Sequence, residues 1–428
     1  MTSTTTAGTA SSAGTEDVEA FRLRVRAFLA ASLPRKDERS GPVSMAEAKQ
    51  LQAVLFDGGF AGIAFPARYG GAGLTLEHQT VFGQEAAGYR MPTPLAVSVA
   101  MLAPTLLDHG SEELKSTHLP RILRGDEIWL QLLSEPSGGS DMAGVLTRAV
   151  RSGEQWVVNG AKIWTTGANH ADYGMCLART DPDVPKHAGL SMFAVPLAHD
   201  GVRIEPIVAS DGGTPHFFQE FLDDVELPAG NLIGELNNGW VVARALLYHE
   251  RNATAGVGHG RGYRAEADAG AATGTGIDDL IDLARAAGTT GDPVARQLLA
   301  EAHVAAVVAR QVGDRVMTGI RTGAFRGDWG SLLKLGMGID APRRGEIGLA
   351  VGGTGAVVWD DGADDGAHDD VDRHSVKWLT ARTISIAGGT NEMQRNIVSE
   401  RLLGMPREAS DDRTVPFREL LSRRTAGS

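Results

Sequence analysis

The sequence predicts an α+β fold in which a β-domain separates two helical regions. Apolar residues recur at helical spacing through residues 17–124, with Gly- and Pro-rich breaks between the periodic segments. From Ile128 to Gly239 the pattern changes to short apolar runs separated by turn residues, as in a small barrel or sandwich. After Gly239 the helical spacing returns and continues to about Leu403. The order of helices, strands and helices indicates three domains.

The N-terminal helices are predicted from amphipathic spacing and from breaker residues. A first helix runs from Val18 to Leu29 and is stopped by Pro34, and others are predicted at 45–57, 76–88, 93–108 and 111–124. The predicted strands that follow are I-W-L-Q-L-L, Q-W-V-V-N-G, Y-G-M-C-L-A-R, L-S-M-F-A-V and H-F-F-Q-E-F. Asn159-Gly160 is predicted as a hairpin turn.

The domain boundaries follow these changes of pattern. We predict a disordered tail at 1–16, an N-terminal helical domain at 17–127, a middle β-domain at 128–239, a helical domain at 240–408 and a C-terminal tail at 409–428. Flexible segments are predicted at 265–277 and in the acidic stretch 360–372. Carboxylates bind hard cations, but the spacing in 360–372 matches no EF-hand loop, so we predict a solvated loop and no metal site.

Composition excludes several classes of protein. The 428-residue chain is 42% hydrophobic, yet no apolar run approaches the ~18 residues that span a bilayer. The N-terminus lacks the basic and apolar segments of a signal peptide, and the only cysteine is Cys176, so we expect a cytoplasmic protein without a disulfide. A net charge of −12 argues against nucleic acid as a partner.

Glu250 is the main catalytic candidate that the sequence offers. Leu246, Glu250 and Ala253 share one face of a predicted helix, and no cation lies three or four residues from Glu250. Burying a carboxylate without a partner raises its pKa, which suits a general base. The alternatives are a distant arginine that pairs with Glu250, or a helix rotated so that Glu250 faces water.

Three further motifs have the composition of ligand sites. Ser134-Glu135-Pro136-Ser137-Gly138-Gly139-Ser140-Asp141 follows an apolar strand and offers N–H and O–H donors, although it could be an ordinary turn. Asn159 to Gly167 contains Trp164, Thr165 and Thr166, which suit a flat heteroaromatic ring or a strand in the core. Near the C-terminus, Gly388-Gly389-Thr390-Asn391-Glu392 starts a helix, either as a site for a developing negative charge or as a cap.

Together these motifs resemble the acyl-CoA dehydrogenase family over roughly residues 17–408. The resemblance implies an N-terminal helical domain, a middle β-barrel or sandwich and a C-terminal four-helix bundle. It also implies FAD as cofactor, α,β-desaturation of an acyl-CoA in fatty acid or lipid metabolism, and an electron-transfer flavoprotein as electron acceptor. The implied flavin contacts are Leu133, Ser134, Gly139, Ser140, Trp164, Thr165, Thr166, Thr390 and Glu392, with Gly352 and Gly353 for a second FAD.

The position of the base separates two branches of this family. Many members carry it directly before the G-T of the C-terminal motif, where this chain has Gly388. Members like isovaleryl-CoA dehydrogenase carry it on the first bundle helix before an arginine, which matches Glu250-Arg251. The resemblance therefore implies Glu250 as base, the Gly388 N–H as a donor to the thioester carbonyl, and Ser140 and Arg251 as substrate contacts.

Two departures leave the cofactor site and the assembly open. The R-x-x-F-G motif that helps to hold FAD across a dimer is not visible, with Arg285 as a possible substitute, and Leu349 stands where a glutamine is common. A homodimer or homotetramer is one alternative, and another is a heterotetramer in which two different chains share each FAD. Further alternatives are a non-catalytic partner subunit and a flavin oxidase with the same fold.

Overall fold

The computed structural model describes residues 16–38, 41–210, 216–254, 258–263, 277–357 and 374–426. The predicted acidic loop 360–372, nearly all of the predicted tail 1–16 and all but Ile277 of 265–277 lie outside the described residues. The chain divides into two compact units. The first comprises Met1–Ile128 with Asn252–Arg264, and the second comprises Trp129–Arg251 with Ala265–Ser428.

The first unit is helical. Its helices are α1 (Val18–Ser32), α2 (Met45–Asp57), α3 (Leu76–Glu85), α4 (Ala103–His109) and α5 (Glu112–Arg124). The Asp17 carboxylate caps α1 by accepting from two backbone N–H groups, and Ser44 and Ser111 cap α2 and α5. The core contains Phe21, Val25 and Leu29 from the apolar stripe of α1.

The helix predicted at 93–108 is continuous in the structure but irregular. Thr93–Leu95 forms a 3-10 turn, Ala96 and Val97 are α-helical, Ser98–Leu102 forms a π-turn, and α4 follows directly. Pro104 stands in the first turn of α4 and has no N–H to continue the preceding helical ladder. Its missing donor accounts for the π-turn directly before α4.

The second unit contains one eight-stranded sheet. Its strands are β1 (Trp129–Leu132), β2 (Arg148–Ser152), β3 (Gln155–Thr166), β4 (Tyr173–Arg179), β5 (Leu190–Pro196), β6 (Val202–Ile207), β7 (Phe217–Pro228) and β8 (Leu232–Ile233). The order is β6-β7-β3-β2-β4-β5-β8, and β1 pairs with β4 in parallel. Strands β4 and β5 are buried over nearly their whole length, which explains their continuous apolar sequences.

The hairpin turn predicted at Asn159-Gly160 is wrong, because β3 continues through both residues. The Asn159 side chain bonds to Asp224 on β7, donating to its carboxylate at 2.9 Å and accepting from its backbone N–H at 3.0 Å. A Cβ on Gly160 would lie 2.4 Å from the Thr147 hydroxyl oxygen. Asn-Gly therefore serves a cross-strand bond and a close approach of strands.

Helices complete the second unit. They are α6 (Gly239–Thr254, whose last three residues belong to the first unit), α7 (Asp278–Ala286), α8 (Pro293–Arg321), α9 (Gly330–Gly352), α10 (His374–Ile386), α11 (Asn391–Ile397) and α12 (Phe417–Ala426). Helix α9 packs against α7, α8, α10 and α11. Helix α12, in the predicted C-terminal tail, packs on the sheet domain, with Phe417 under the Arg179 guanidinium at 3.9 Å. None of the described helices is long and apolar enough to cross a membrane.

Candidate active site

Glu250 lies on the apolar face of α6. Val242, Ala243 and Leu246 on this helix are buried, in agreement with the predicted amphipathic spacing. The Glu250 carboxylate accepts a hydrogen bond of 3.4 Å from the Gln131 side-chain amide of β1. Burial raises the pKa of Glu250, while Gln131, Arg251 and Lys334 oppose the rise without cancelling it. Glu250 thus has the raised pKa expected of a general base.

The C-terminal glycine loop is held in a defined conformation after α10. Gly388 and Gly389 both have left-handed backbones, with φ of +65° and +88°. The Gln394 amide donates to the carbonyl oxygens of both glycines, at 3.3 Å and 3.1 Å. The Thr390 hydroxyl caps α11 by accepting from the Met393 N–H at 3.2 Å. The Gly388-Gly389 loop is therefore fixed by hydrogen bonds, and Thr390 caps the helix that follows it.

Glu250 and Gly388 lie side by side. A Cβ built on Gly388 would lie 3.6 Å from Glu250 Oε1 and 3.4 Å from Lys334 Cε. The Gly388 N–H donates to no acceptor within the described residues, since the helical ladder of α10 ends with the Ala387 N–H on Thr383. The site therefore offers a partly buried carboxylate next to a residue whose amide N–H has no acceptor in the described residues. This pair can remove a proton next to a carbonyl and stabilise the resulting enolate.

The two predicted flavin motifs of the sheet domain are also adjacent. The Ile163 N–H donates to the Ser134 carbonyl at 3.0 Å. The fully buried Lys162 donates to Leu133 O at 3.3 Å and to the Glu135 carboxylate at 2.9 Å. Burial alone would raise the pKa of Glu135, but Lys162 and the hydrogen bonds to its carboxylate lower it. The buried ion pair between Lys162 and Glu135 thus connects the motif at 134–141 with the motif at 159–167.

These motifs present different side chains to solvent and to the core. The loop Gly138-Gly139-Ser140 is exposed, as is Thr166. Trp164 is 59% exposed and sits at a bulge with φ of +66°, a strained backbone for a residue with a Cβ. The Thr165 hydroxyl instead faces the core and donates to Glu220 at 2.8 Å. An exposed indole beside exposed hydroxyl and glycine groups suits a flat, polar ring system.

The remaining predicted residues differ in their exposure and in the contacts that they make. Gly352 packs against Leu283, so an added Cβ would lie 3.1 Å from its methyl groups, while Gly353 is open. Gly338 of α9 contacts Asn391 at the start of α11, and the helical rise of 1.5 Å per residue puts Gly352 roughly 20 Å farther along α9. Glu392 and Arg251 are exposed, and Leu133 is buried. Arg285 pairs with Asp282 at the surface.

Comparison with known proteins assigns the family. Family models match over three consecutive ranges, namely the acyl-CoA dehydrogenase N-terminal domain at 15–126, the middle domain at 131–223 and the C-terminal domain at 237–403. The chain belongs to the acyl-CoA dehydrogenase family. It is an oxidoreductase that depends on FAD, the cofactor of this family.

Individual relatives match over almost the whole length. Acyl-CoA dehydrogenase IpdE1 of Mycobacterium tuberculosis is 34% identical over 92% of this chain and 99% of its own. The solved structure named "Tcur3481-Tcur3483 steroid ACAD" is 28% identical, with a TM-score of 0.70 and coverage of 91% and 98%. The ChsE4-ChsE5 complex of Mycobacterium tuberculosis is 26% identical, with a TM-score of 0.67 and coverage of 93% and 100%.

The exposed Trp164, Thr166 and the 138–140 loop fit an isoalloxazine ring and its phosphate-bearing chain, so these residues would hold FAD in this acyl-CoA dehydrogenase. Sequence reasoning missed three residues of the site. Gln131 is the one polar side chain in an apolar strand, which is a usable signal. Gln394 lies inside the C-terminal motif, and Lys334 carries no signal because its role depends on the packing of α9 against α10.

Proposed function

We propose that this acyl-CoA dehydrogenase desaturates an acyl-CoA thioester at Cα–Cβ, with Glu250 as the catalytic base. Glu250 removes the α-proton, and the Gly388 N–H donates to the thioester carbonyl, which gains negative charge as the enolate forms. Bound FAD supplies the hydride acceptor for the β-hydrogen. Trp164, Thr166 and Ser140 would orient this cofactor and the thioester, with Thr165 contributing only backbone atoms.

One observation carries the proposal: the Glu250 carboxylate lies 3.6 Å from the position of a Gly388 Cβ. A base carried at residue 388 and a base carried on α6 would thus act on the same α-carbon. The absence of an ion-pair partner for Glu250 within the described part of the chain, together with its raised pKa, supports the same role.

The Glu250→Gln variant tests the base directly. We expect bleaching of the FAD absorbance by acyl-CoA under anaerobic conditions to slow by about 10²–10⁴-fold, the usual contribution of a general base. Glu205→Gln on the exposed part of β6 is the matched control and should bleach at the unaltered rate. Near-normal bleaching by Glu250→Gln would refute the assignment.

We also propose a bulky, steroid-derived acyl group as substrate. The support is a solved relative named as a steroid acyl-CoA dehydrogenase, which aligns with 91% of this chain. Bleaching rates with a steroid side-chain CoA thioester and with butyryl-CoA, measured on one FAD-loaded preparation, give the test. Faster bleaching by butyryl-CoA would contradict the proposal.

The FAD site is further proposed to need a second chain. Gly353, which caps the end of α9, lies roughly 20 Å along the helix from Gly338, the residue of α9 that contacts Asn391 beside the Gly388 loop, so the two positions would serve different FAD sites. A matching solved relative is a complex of two differently named chains. FAD content and mass of the purified chain, alone and with a candidate partner, give the test. Full FAD occupancy in a pure homo-oligomer would contradict a heteromer.

An electron-transfer flavoprotein is the proposed electron acceptor, as the family resemblance implies. Re-oxidation of the reduced protein should be faster with such a flavoprotein than with air, and little peroxide should form. Rapid peroxide formation would instead identify an oxidase.

A further inference from the structure

Helix α10 ends at Ile386, and the Gly388 N–H does not continue its hydrogen-bond ladder. In a continuing α-helix the Gly388 N–H would donate to the carbonyl of Ile384, four residues before it. The ladder stops instead at the bond between the Ala387 N–H and Thr383 O, of 2.8 Å. The Gly388 backbone turns to φ of +65° at this point. No backbone N–H donates to the Ile384 carbonyl within the described residues, so this acceptor is open to another donor.

That donor is the ammonium group of Lys334. Lys334 lies on α9, and its Nζ donates to Ile384 O. Its Cε lies 3.4 Å from the position of a Gly388 Cβ, so the lysine chain runs directly beside the loop. A charged donor forms a stronger bond than a neutral amide, so Lys334 competes effectively for the acceptor that Gly388 would use.

The loop is anchored on its other side by Gln394. The Gln394 amide binds the carbonyl oxygens of Gly388 and Gly389. Lys334 therefore binds the Ile384 carbonyl, which the Gly388 N–H would use in a longer helix. Gln394 binds the carbonyl oxygens of Gly388 and Gly389. Between these contacts the N–H of Gly388 is left without an acceptor in the described structure, and the Cβ position of the same residue lies 3.6 Å from Glu250 Oε1.

We propose that Lys334 is a positioning residue that keeps the Gly388 N–H out of the α10 ladder and available to the thioester carbonyl. This inference rests on the proposed function, because it assumes that the carbonyl binds at Gly388. Lys334 acts through the backbone of Ile384 and Gly388 and does not itself touch the substrate. Its removal should let the Gly388 N–H turn back toward Ile384 and weaken carbonyl polarisation.

The test uses FAD-loaded Glu250→Gln protein, in which a bound acyl-CoA does not react. The bound thioester carries ¹³C at its carbonyl, and isotope-edited infrared spectroscopy measures its stretching frequency. Hydrogen bonding lowers this frequency relative to free acyl-CoA. We expect Lys334→Met to lose at least half of the lowering and Lys334→Arg, which keeps a charged donor, to retain most of it.

Lys377→Met is the matched control, since Lys377 lies on α10 but reaches Asp279 on α7. It should leave the carbonyl frequency unchanged. In protein that keeps Glu250, Lys334→Met should slow bleaching at saturating acyl-CoA by about 10- to 100-fold at the alkaline plateau, with little change in KM. At that plateau Glu250 is ionised, so a change in its pKa on loss of the Lys334 charge does not account for the effect.

The outcomes separate this inference from the proposed function. An unchanged carbonyl frequency in Lys334→Met would overturn the role of Lys334, whatever the base is. Normal bleaching by Glu250→Gln would instead overturn the proposed base. Should Lys334→Met fold poorly, a loss of the frequency lowering in Lys334→Arg would also contradict the inference, because that variant keeps the bulk and the charge.

Discussion

At the scale of single residues, Glu250 combines a cost to stability with a benefit for catalysis. Burial raises its pKa, and Gln131 is its only hydrogen-bond donor within the described residues. A carboxyl group with a raised pKa is favoured in its neutral form by folding. Its contribution to stability is therefore present at low pH and is lost as the pH rises through the pKa of the folded state.

The pH dependence of bleaching follows from this shift. Only ionised Glu250 accepts the α-proton, so the bleaching rate should rise with pH through the raised pKa and then reach a plateau. Stopped-flow measurements between pH 5 and 9 give the profile. A rate that is already maximal at pH 5 would contradict a base with a raised pKa.

The Glu250→Gln substitution, which should slow bleaching, should raise the thermal stability of the protein. Above the pKa of Glu250, replacement by the neutral glutamine removes a buried charge, so Glu250→Gln should melt at a higher temperature than the unaltered protein. The difference should shrink as the pH falls, because the raised pKa of Glu250 leaves a growing fraction of its carboxyl group neutral. Calorimetry of both proteins at several pH values measures it, and a Glu250→Gln protein that is less stable at pH 8 would argue against an uncompensated carboxylate.

At the scale of elements, the ion pair between Lys162 and Glu135 connects the two flavin motifs. Glu135 also accepts from the N–H groups of Leu146 and Thr147 at 2.6 Å and 2.9 Å, so one carboxylate binds β3 and the segment before β2. Breaking a buried pair on one side leaves an uncompensated charge, at a cost of about 3–5 kcal/mol.

Glu135→Gln should therefore destabilise the protein and weaken FAD binding. Replacing both partners, as Glu135→Gln with Lys162→Met, should recover part of the stability because no charge stays buried alone. Melting temperature and FAD affinity, measured on both variants, check this. A Glu135→Gln protein as stable as the unaltered protein would show that the Lys162–Glu135 ion pair does not stabilise the contact between the two motifs.

Sequence patterns predicted a helix or strand well where local features, such as a capping residue and an apolar face, determine its bounds. The helix predicted at 45–57 matches α2, whose cap is Ser44 and whose apolar face is buried. The prediction failed at Asn159-Gly160, because the turn rule gave way to a cross-strand bond with Asp224, a partner 65 residues away. The role of Lys334 was likewise out of reach, since Ile384 meets it only when α9 packs on α10.

At the scale of the whole molecule, the three domains follow the order that the sequence predicts, and they match the family over residues 15–403 with short gaps. The sheet domain presents the side chains proposed to bind the flavin ring, and the helices that follow it carry Glu250 and the glycine loop. In the proposed mechanism α6, α9 and α10 meet at Gly388, and Glu250 removes the α-proton there.

Exchange of the α-hydrogen with solvent measures that step alone. An acyl-CoA whose β-carbon is replaced by sulfur keeps acidic α-hydrogens and has no β-hydride to transfer. With this thioester deuterated at the α-carbon, mass spectrometry follows the loss of deuterium in FAD-loaded protein. We predict exchange in the unaltered protein and its near-complete loss in Glu250→Gln. Equal exchange in both would contradict the account.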